Sequence, residues 1–401
     1  MLDTIKRLPK NVWVLAATLS LAMASIPLLV LIGGLLGAAL APVPGWATLP
    51  LAFNVVGLAI AAIPASIIAK KIGRKMAGFL GMSISLTGVL LCALATIQNS
   101  FYLLLLGGFC IGMSVAFLQQ FRFAAIESLR DPNDVGPALS VIMLCSIVAG
   151  ILGPELGGLG KDLIPAAQPY TGSFLIMASV LVLAMLCFTA FKNPVLIEEH
   201  ESGESRPLLT IVRQPVFLVS VSASLIGYAV MSFLMTSTPI SMNVFAGHSL
   251  AESKWVIQSH LVAMFLPSLF SGYLIKRLGP ALIMTAGAVL YLLVILVASL
   301  GQHVLHYWWA LVMLGVGWNF LFMSGTTVLP RSYRHSERFK SQAVNDFSIF
   351  ASQAFASLSA GWVLFKFGWL SQVLYCLPIT VLMLFIAIYY LLSERRKPRQ
   401  E

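Results

Sequence analysis

Apolar residues in this chain come in long, nearly unbroken runs, and polar residues gather in the short gaps between them. Twelve such runs lie at about 12–40, 46–69, 76–97, 101–123, 135–158, 171–191, 215–238, 253–275, 281–300, 307–329, 343–365 and 369–392. Each is about 20 residues or longer, enough for a helix to cross the hydrocarbon core of a bilayer. Pro44, Pro165, Pro169, Pro239 and Pro280 fall at or near run ends, where breaking a helix costs little. Between the sixth and seventh runs lies 192–213, with Glu198-Glu199-His200-Glu201-Ser202-Gly203-Glu204 and no apolar period. It reads as a linker between an N-terminal bundle, 1–191, and a C-terminal bundle, 214–401.

One short stretch occurs twice. Ser66-Ile-Ile-Ala-Lys70-Lys71-Ile-Gly73-Arg74-Lys75 joins runs two and three, and Gly272-Tyr-Leu-Ile-Lys276-Arg277-Leu-Gly279 joins runs eight and nine. The copies lie 206 residues apart, about half the chain, which implies two similar halves. The stretch resembles the loop between helices 2 and 3 of major facilitator superfamily transporters, commonly Gly-x-x-x-Asp-Arg-x-Gly-Arg-Arg/Lys. Lys70 and Lys276 replace its acid, and Ser66 replaces the first glycine of the first copy. The resemblance implies an all-α membrane protein, with twelve transmembrane helices in two pseudo-symmetric six-helix bundles that move a solute by alternating access.

Composition agrees with the run pattern. The chain is 59% hydrophobic and 10% charged, with mean hydropathy +0.91, too few charges to clothe a water-soluble domain. Net charge is +10. With the N-terminus in the cytoplasm, all 25 Lys and Arg except Lys161, Lys254 and Lys366 fall on the cytoplasmic side. The positive charge therefore answers to topology and anionic lipid rather than to nucleic acid. Both termini are expected in the cytoplasm and the protein, a monomer, in a bacterial inner (plasma) membrane.

Cys92, Cys110, Cys145, Cys187 and Cys376 all sit inside apolar runs without a Cys-x-x-Cys pair, and His303 and His306 have no third ligand beside them, so neither a disulfide framework nor a metal site is expected. The basic N-terminal residues and Ala39-Leu40-Ala41 resemble a secretion signal, but the first run is too long for one and reads as an uncleaved helix. No P-loop, Gly-x-Ser-x-Gly, His-Glu-x-x-His or nucleotide-binding glycine pattern is present. No enzyme and no cofactor is expected, and transport is then facilitated or driven by an ion gradient.

Polar groups inside membrane spans are costly and tend to face a cavity or a partner. The resemblance puts helices 1, 4, 7 and 10 around a central cavity, which makes Tyr228, Trp318 and Asn319 cavity candidates, with Asn54, Gln119, Arg122 and Gln353 beside them. Asn319 has a second reading as a bridge between helices, and Arg122 as a cation snorkelling to head groups. Gly153-Pro154-Glu155-Leu156-Gly157-Gly158 resembles the end of a fifth-helix motif of exporters, although 103–106 lacks the fourth-helix arginine those exporters carry. Glu155 and His260 can change charge and are the candidate proton sites.

In the family the loop acid closes the cytoplasmic gate against the start of helix 11. Here Lys70 holds that place and Asp346 lies near the start of helix 11, implying the same attraction with signs exchanged. An acid near a helix N-terminus is also favoured by the helix dipole. Lys71, Gly73 and Arg74 complete the loop, and Lys276 or Arg277 would face Glu127, Asp131 or Asp134. The whole reads as a secondary transporter of a small organic solute, coupled to protons. The rivals are an exporter of drugs or metabolites, and a transporter-like receptor that binds without flux.

Overall fold

The computed structural model describes residues 8–129, 134–193 and 205–395, and every element among them is helical. The first span, α1, is Lys10–Ala22 continued by Ser25–Leu40. The 50-residue helix Leu49–Gln98 is two spans, α2 and α3, either side of Gly73. Then come α4 (Phe101–Leu118, continued by Phe121–Glu127), α5 (Val135–Leu159) and α6 (Thr171–Phe188). After the short helix Leu208–Val212 follow α7 (Pro215–Ile240) and α8 (Leu250–Phe265, bent by 42° into Ser268–Leu278). The last four are α9 (Pro280–Ser299), α10 (Val304–Val328) and the pair α11 and α12. That pair divides Arg338–Tyr375 at Gly368, with α12 running on through Leu377–Arg395. A straight helix of 50 residues would be about 75 Å long, far more than the roughly 30 Å hydrocarbon core, so the breaks at Gly73 and Gly368 are what make two spans of one helix.

The expected twelve spans are thus present in the expected order. Gly73 has φ 82°, ψ 158°, and Gly279, 206 positions on, has φ 83°, ψ 150°. Only glycine occupies that region without strain. The repeated glycine is therefore the hinge residue by which each half folds its third span back along its second.

Within each half the helices approach closely. A Cβ on Gly112 would fall 1.8 Å from the Asn54 carbonyl oxygen, and one on Gly315 would fall 2.8 Å from that of His260. These small residues let α2 pack backbone to backbone on α4, and α8 on α10. The described chain begins and ends on the face that carries the basic loops, called here the basic face. The loops before α2 and α8 mark the opposite, neutral face. Segment 198–204 and Asp131 lie outside the described residues.

Candidate solute site

The two halves meet at the neutral face. Lys254 Nζ of α8 donates to Glu155 Oε2 of α5 at 2.8 Å, and Gln258 Nε2 donates to Glu155 Oε1 at 3.0 Å and to the Ile151 carbonyl at 3.1 Å. Across the molecule Thr48, at the start of α2, donates to the Ser357 carbonyl of α11 at 3.2 Å and accepts from the Gly361 N–H at 3.1 Å. Every hydrogen bond and ion pair described between the halves belongs to one of these two groups, and both are at the neutral face. Lys70, Lys71, Lys276, Arg277 and Asp346, toward the basic face, are exposed. Among the described residues, the hydrogen bonds and ion pairs between the halves are thus confined to the neutral face.

An aromatic wall lies at the middle of the C-terminal half. Tyr228 of α7 meets Trp318 and Phe322 of α10 edge to face, with centroids 5.2 and 5.4 Å away. Trp318 stacks on Phe322 at 5.2 Å, and Phe265 of α8 completes the group at 5.8 Å from Trp318. Arg122 lies on α4 and Asp346 on α11. No ion pair joins Arg122 to Asp346. Asp346 accepts from Asn345 Nδ2 at 3.0 Å, and Arg122 packs over Phe123 with its Nε buried and unpartnered. Asp346, Gln353 and Ser357 share one stripe of α11 at helical spacing. Ser357 is buried against Thr48 and Thr236, which aims that stripe toward the N-terminal half. Gln353 Oε1 and Trp318 Nε1 are also buried without partners.

Other candidates are held elsewhere. Asn319 is 1% exposed and fully engaged: its Nδ2 donates to the Met264 carbonyl at 2.8 Å and to Ser268 Oγ at 2.6 Å, and its Oδ1 accepts from Ser271 at 2.6 Å. These partners straddle the bend of α8 at Pro267, so the amide satisfies a carbonyl that the broken helix leaves free. Of its two readings, the bridge between helices is the one the geometry supports.

Asn54 and His260 are 206 positions apart and do the same work. Asn54 Nδ2 donates to the Gly108 carbonyl of α4 at 3.3 Å. His260 Nδ1 lies 2.7 Å from the Leu311 carbonyl of α10, with Nε2 enclosed and unpartnered. His260 is 0% exposed, which shuts it off from water. Gln119 is half-buried at the basic end of α4.

The expected gate pairs differ from those observed. Glu127 is taken within its own half: Arg74 Nε and Nη2 grip its two oxygens at 3.1 and 2.5 Å, and Arg74 Nη1 donates to Gln120 at 3.0 Å. It is therefore not free for Lys276 or Arg277. Arg277 Nη1 donates to Tyr273, on its own helix. No ion pair between Lys70 and Asp346 is described, and the bonds described between the halves lie away from the Lys70 loop. Asp134 is half-buried without a described ion pair.

Sequence reasoning missed Thr48, Lys254, Gln258, Ser357 and Gly361. A signal for them was present: Thr48 and Gly361 become Lys254 and Glu155 on shifting by 206, in opposite directions. It also missed the tie between linker and helix 11. Arg206 Nε and Nη2 donate to Glu337 at 2.8 and 2.6 Å, and Lys340 Nζ reaches Ser205 Oγ and the Arg206 carbonyl. Arg206 holds the Glu337 carboxyl well below the usual carboxylate range, aided by the Arg334 and Arg206 backbone N–H groups. Among the described residues no group of three or more His, Cys, Asp or Glu is arranged to hold a metal.

The Major Facilitator Superfamily profile matches residues 47–248 and again 239–401. The riboflavin transporter RfnT of Brucella anthropi is 35% identical over 379 residues, 94% of each chain. The purine ribonucleoside efflux pump NepI of Escherichia coli K12 is 26% identical over 188 residues, 46% of each. Among solved structures, a bacterial homologue of the human lysosomal transporter Spinster, inward-facing and unoccupied, superposes with a TM-score of 0.72 at 14% identity, covering 96% of each chain. The nucleoside transporter NupG does so at 0.70 and 13%, covering 94% of this chain and 99% of that one.

Proposed function

The chain belongs to the Major Facilitator Superfamily, whose members are transporters and not enzymes, and on that premise we propose that it carries a planar heteroaromatic solute of the riboflavin type across the membrane. The observation that carries this reading is the wall formed by Tyr228, Trp318, Phe322 and Phe265. Aromatic side chains offer a flat ring offset-stacked or edge-to-face contacts. The relative named for riboflavin transport supports the same class of solute across nearly the full chain. The distribution of Lys and Arg supports placing the basic face and both termini in the cytoplasm.

Alternating access requires the neutral face to open and the basic face to close in turn. Glu155 is the group through which we couple this to protons. Its side chain is 40% exposed, so water at the neutral face reaches it, and a proton there removes the charge that Lys254 holds. His260, enclosed in its bundle, has no such access, which leaves the coupling to Glu155. An ion pair this exposed contributes about 1 kcal/mol or less, enough to tilt a balanced equilibrium but not to hold the halves together alone.

The test is uptake of radiolabelled riboflavin into proteoliposomes. Saturable uptake, lost in Tyr228→Ala and Trp318→Ala at equal abundance, is the expected result. Binding without flux would favour a receptor, and neither binding nor flux would rule out the flavin class.

A further inference from the structure

We propose that the open groove at the basic-face ends of α7 and α12 binds one anionic phospholipid of the adjoining leaflet, with Arg213 taking the phosphate and the two helices taking an acyl chain. The groove shares no residue with the aromatic wall and does not depend on which solute is carried.

Two cavities meet there. One, of about 540 Å³, is lined by Thr210, Arg213 and Gln214, with Leu209 and Pro215 beside them. The other, of about 360 Å³, is lined by Leu218, Val219 and Ser222 of α7 and by Ile386 and Tyr389 of α12. Pro215 lines both, so the two form one groove. From Pro215 to Ser222 it follows α7 for about 10 Å into the span. It begins among donors and becomes mainly apolar, and no acidic residue lines either part.

The polar end is built from the short helix Leu208–Val212, which buries Ile211 against Phe217 and Leu329 and leaves Leu209 56% exposed. The helix is fixed from both sides. Before it Arg206 grips Glu337, and after it Gln214 Nε2 donates to the Ser332 carbonyl at 2.9 Å. An exposed leucine between two arginines suits the head-group boundary, where apolar side chains dip toward the acyl region and cations stay with the phosphates.

Arg213 follows that helix and is exposed. Arg74, Arg206 and Arg331 each hold a glutamate, whereas among the described residues the Arg213 guanidinium has no partner. A guanidinium matches a phosphate with two parallel N–H bonds. Along the apolar end Leu218 and Tyr389 are more than half exposed, a surface for an acyl chain to cover. A zwitterionic head group carries its own cation beside Arg213 and an anionic one does not, so the groove selects net negative charge.

The probes are phosphatidylglycerol and phosphatidylcholine with identical acyl chains. Binding of the first lipid to the purified full-length protein is read by native mass spectrometry. We expect the wild type to bind phosphatidylglycerol about five-fold more tightly than phosphatidylcholine, the contribution of one cation beside an anionic lipid. Arg213→Gln should bring the two to within about two-fold and leave phosphatidylcholine unchanged, since it removes that cation alone. Leu218→Trp, which fills the apolar end, should weaken both lipids together. Both substitutions fall at exposed positions, where the fold tolerates change.

Equal wild-type affinity for the two lipids, or a preference that survives Arg213→Gln, would overturn the proposal by placing the anionic lipid on other basic residues. So would lipid binding that Leu218→Trp leaves untouched. A lipid-free dimer that Leu218→Trp abolishes would overturn it by giving the groove to a second copy of the chain.

Discussion

The two contacts that close the neutral face occupy equivalent places in the two halves and are built from different chemistry. Between α2 and α11, Thr48 uses a hydroxyl on the backbone of Ser357 and Gly361. Between α5 and α8, the positions 206 away hold Lys254 and Glu155, and Gln258 takes the carbonyl of Ile151, the counterpart of Ser357. The backbone acceptor is the same on both sides, while a charge pair stands on one side alone. Under the proposed coupling, a symmetric scaffold carries an asymmetric response: a proton releases one contact and leaves the other untouched. The Asn54 and His260 pair teaches the converse. There a residue that titrates and one that does not fill equivalent places, and both simply tie neighbouring helices.

The largest break in this comparison should come from Gly361→Leu. A Cβ there already meets Thr48 Oγ1 at 2.5 Å and the Gly45 carbonyl at 3.0 Å, so the side chain wedges α2 from α11. Cysteine labelling from the neutral face should then reach α7 and α10, and transport should fall to near background. Asn319→Ala comes next. It strands the Met264 carbonyl and the hydroxyls of Ser268 and Ser271 at the α8 bend, costing about 1 kcal/mol. Lower thermal stability and lower abundance are expected, with solute affinity unchanged per folded molecule.

Glu155→Gln should remove the pH dependence of transport and shift the balance of open and closed neutral faces by up to about five-fold, since exposed pairs contribute at most about 1 kcal/mol. Thr48→Val should cost a similar amount, about 1 kcal/mol for a lost hydrogen bond, but leave the pH profile where it was. Measured side by side, the two variants separate charge from contact.

The smallest effect is predicted at Glu337. Its carboxyl is held below the ordinary carboxylate range, so its support of the linker is present above that range and is lost only as pH falls through the lower, folded value. Protection of 205–213 from protease should therefore be the same at pH 8 and pH 5, while Glu337→Gln loses it at both.

The run lengths and the repeated glycine loop carried the fold, because lipid imposes a minimum length on each apolar run and Gly73 and Gly279 have no substitute at their backbone angles. The proposed solute region was only half legible. Tyr228, Trp318, Arg122 and Gln353 were visible as polar or aromatic residues in apolar runs. So was Asn319, and nothing in its own neighbourhood told it apart: what removes it from the cavity is the bend at Pro267 and two serines 48 and 51 positions away. The Lys70 gate is a different case. An ion pair across the halves exists in one state and not in the other, and a sequence does not say which state is populated. Shifting every polar residue by 206 would have exposed the pairing of Thr48 with Gly361 and of Lys254 with Glu155.

The central claim is that protonation of Glu155 releases the neutral face while its uncharged counterpart stays in place. Electron-electron distance measurement between spin labels on the neutral-face ends of α5 and α8, in nanodiscs at pH 7.5, tests it directly by comparing the wild type with Glu155→Gln, which carries the uncharged form. The account predicts longer distances in Glu155→Gln. Equal distances in the wild type and in Glu155→Gln would contradict it.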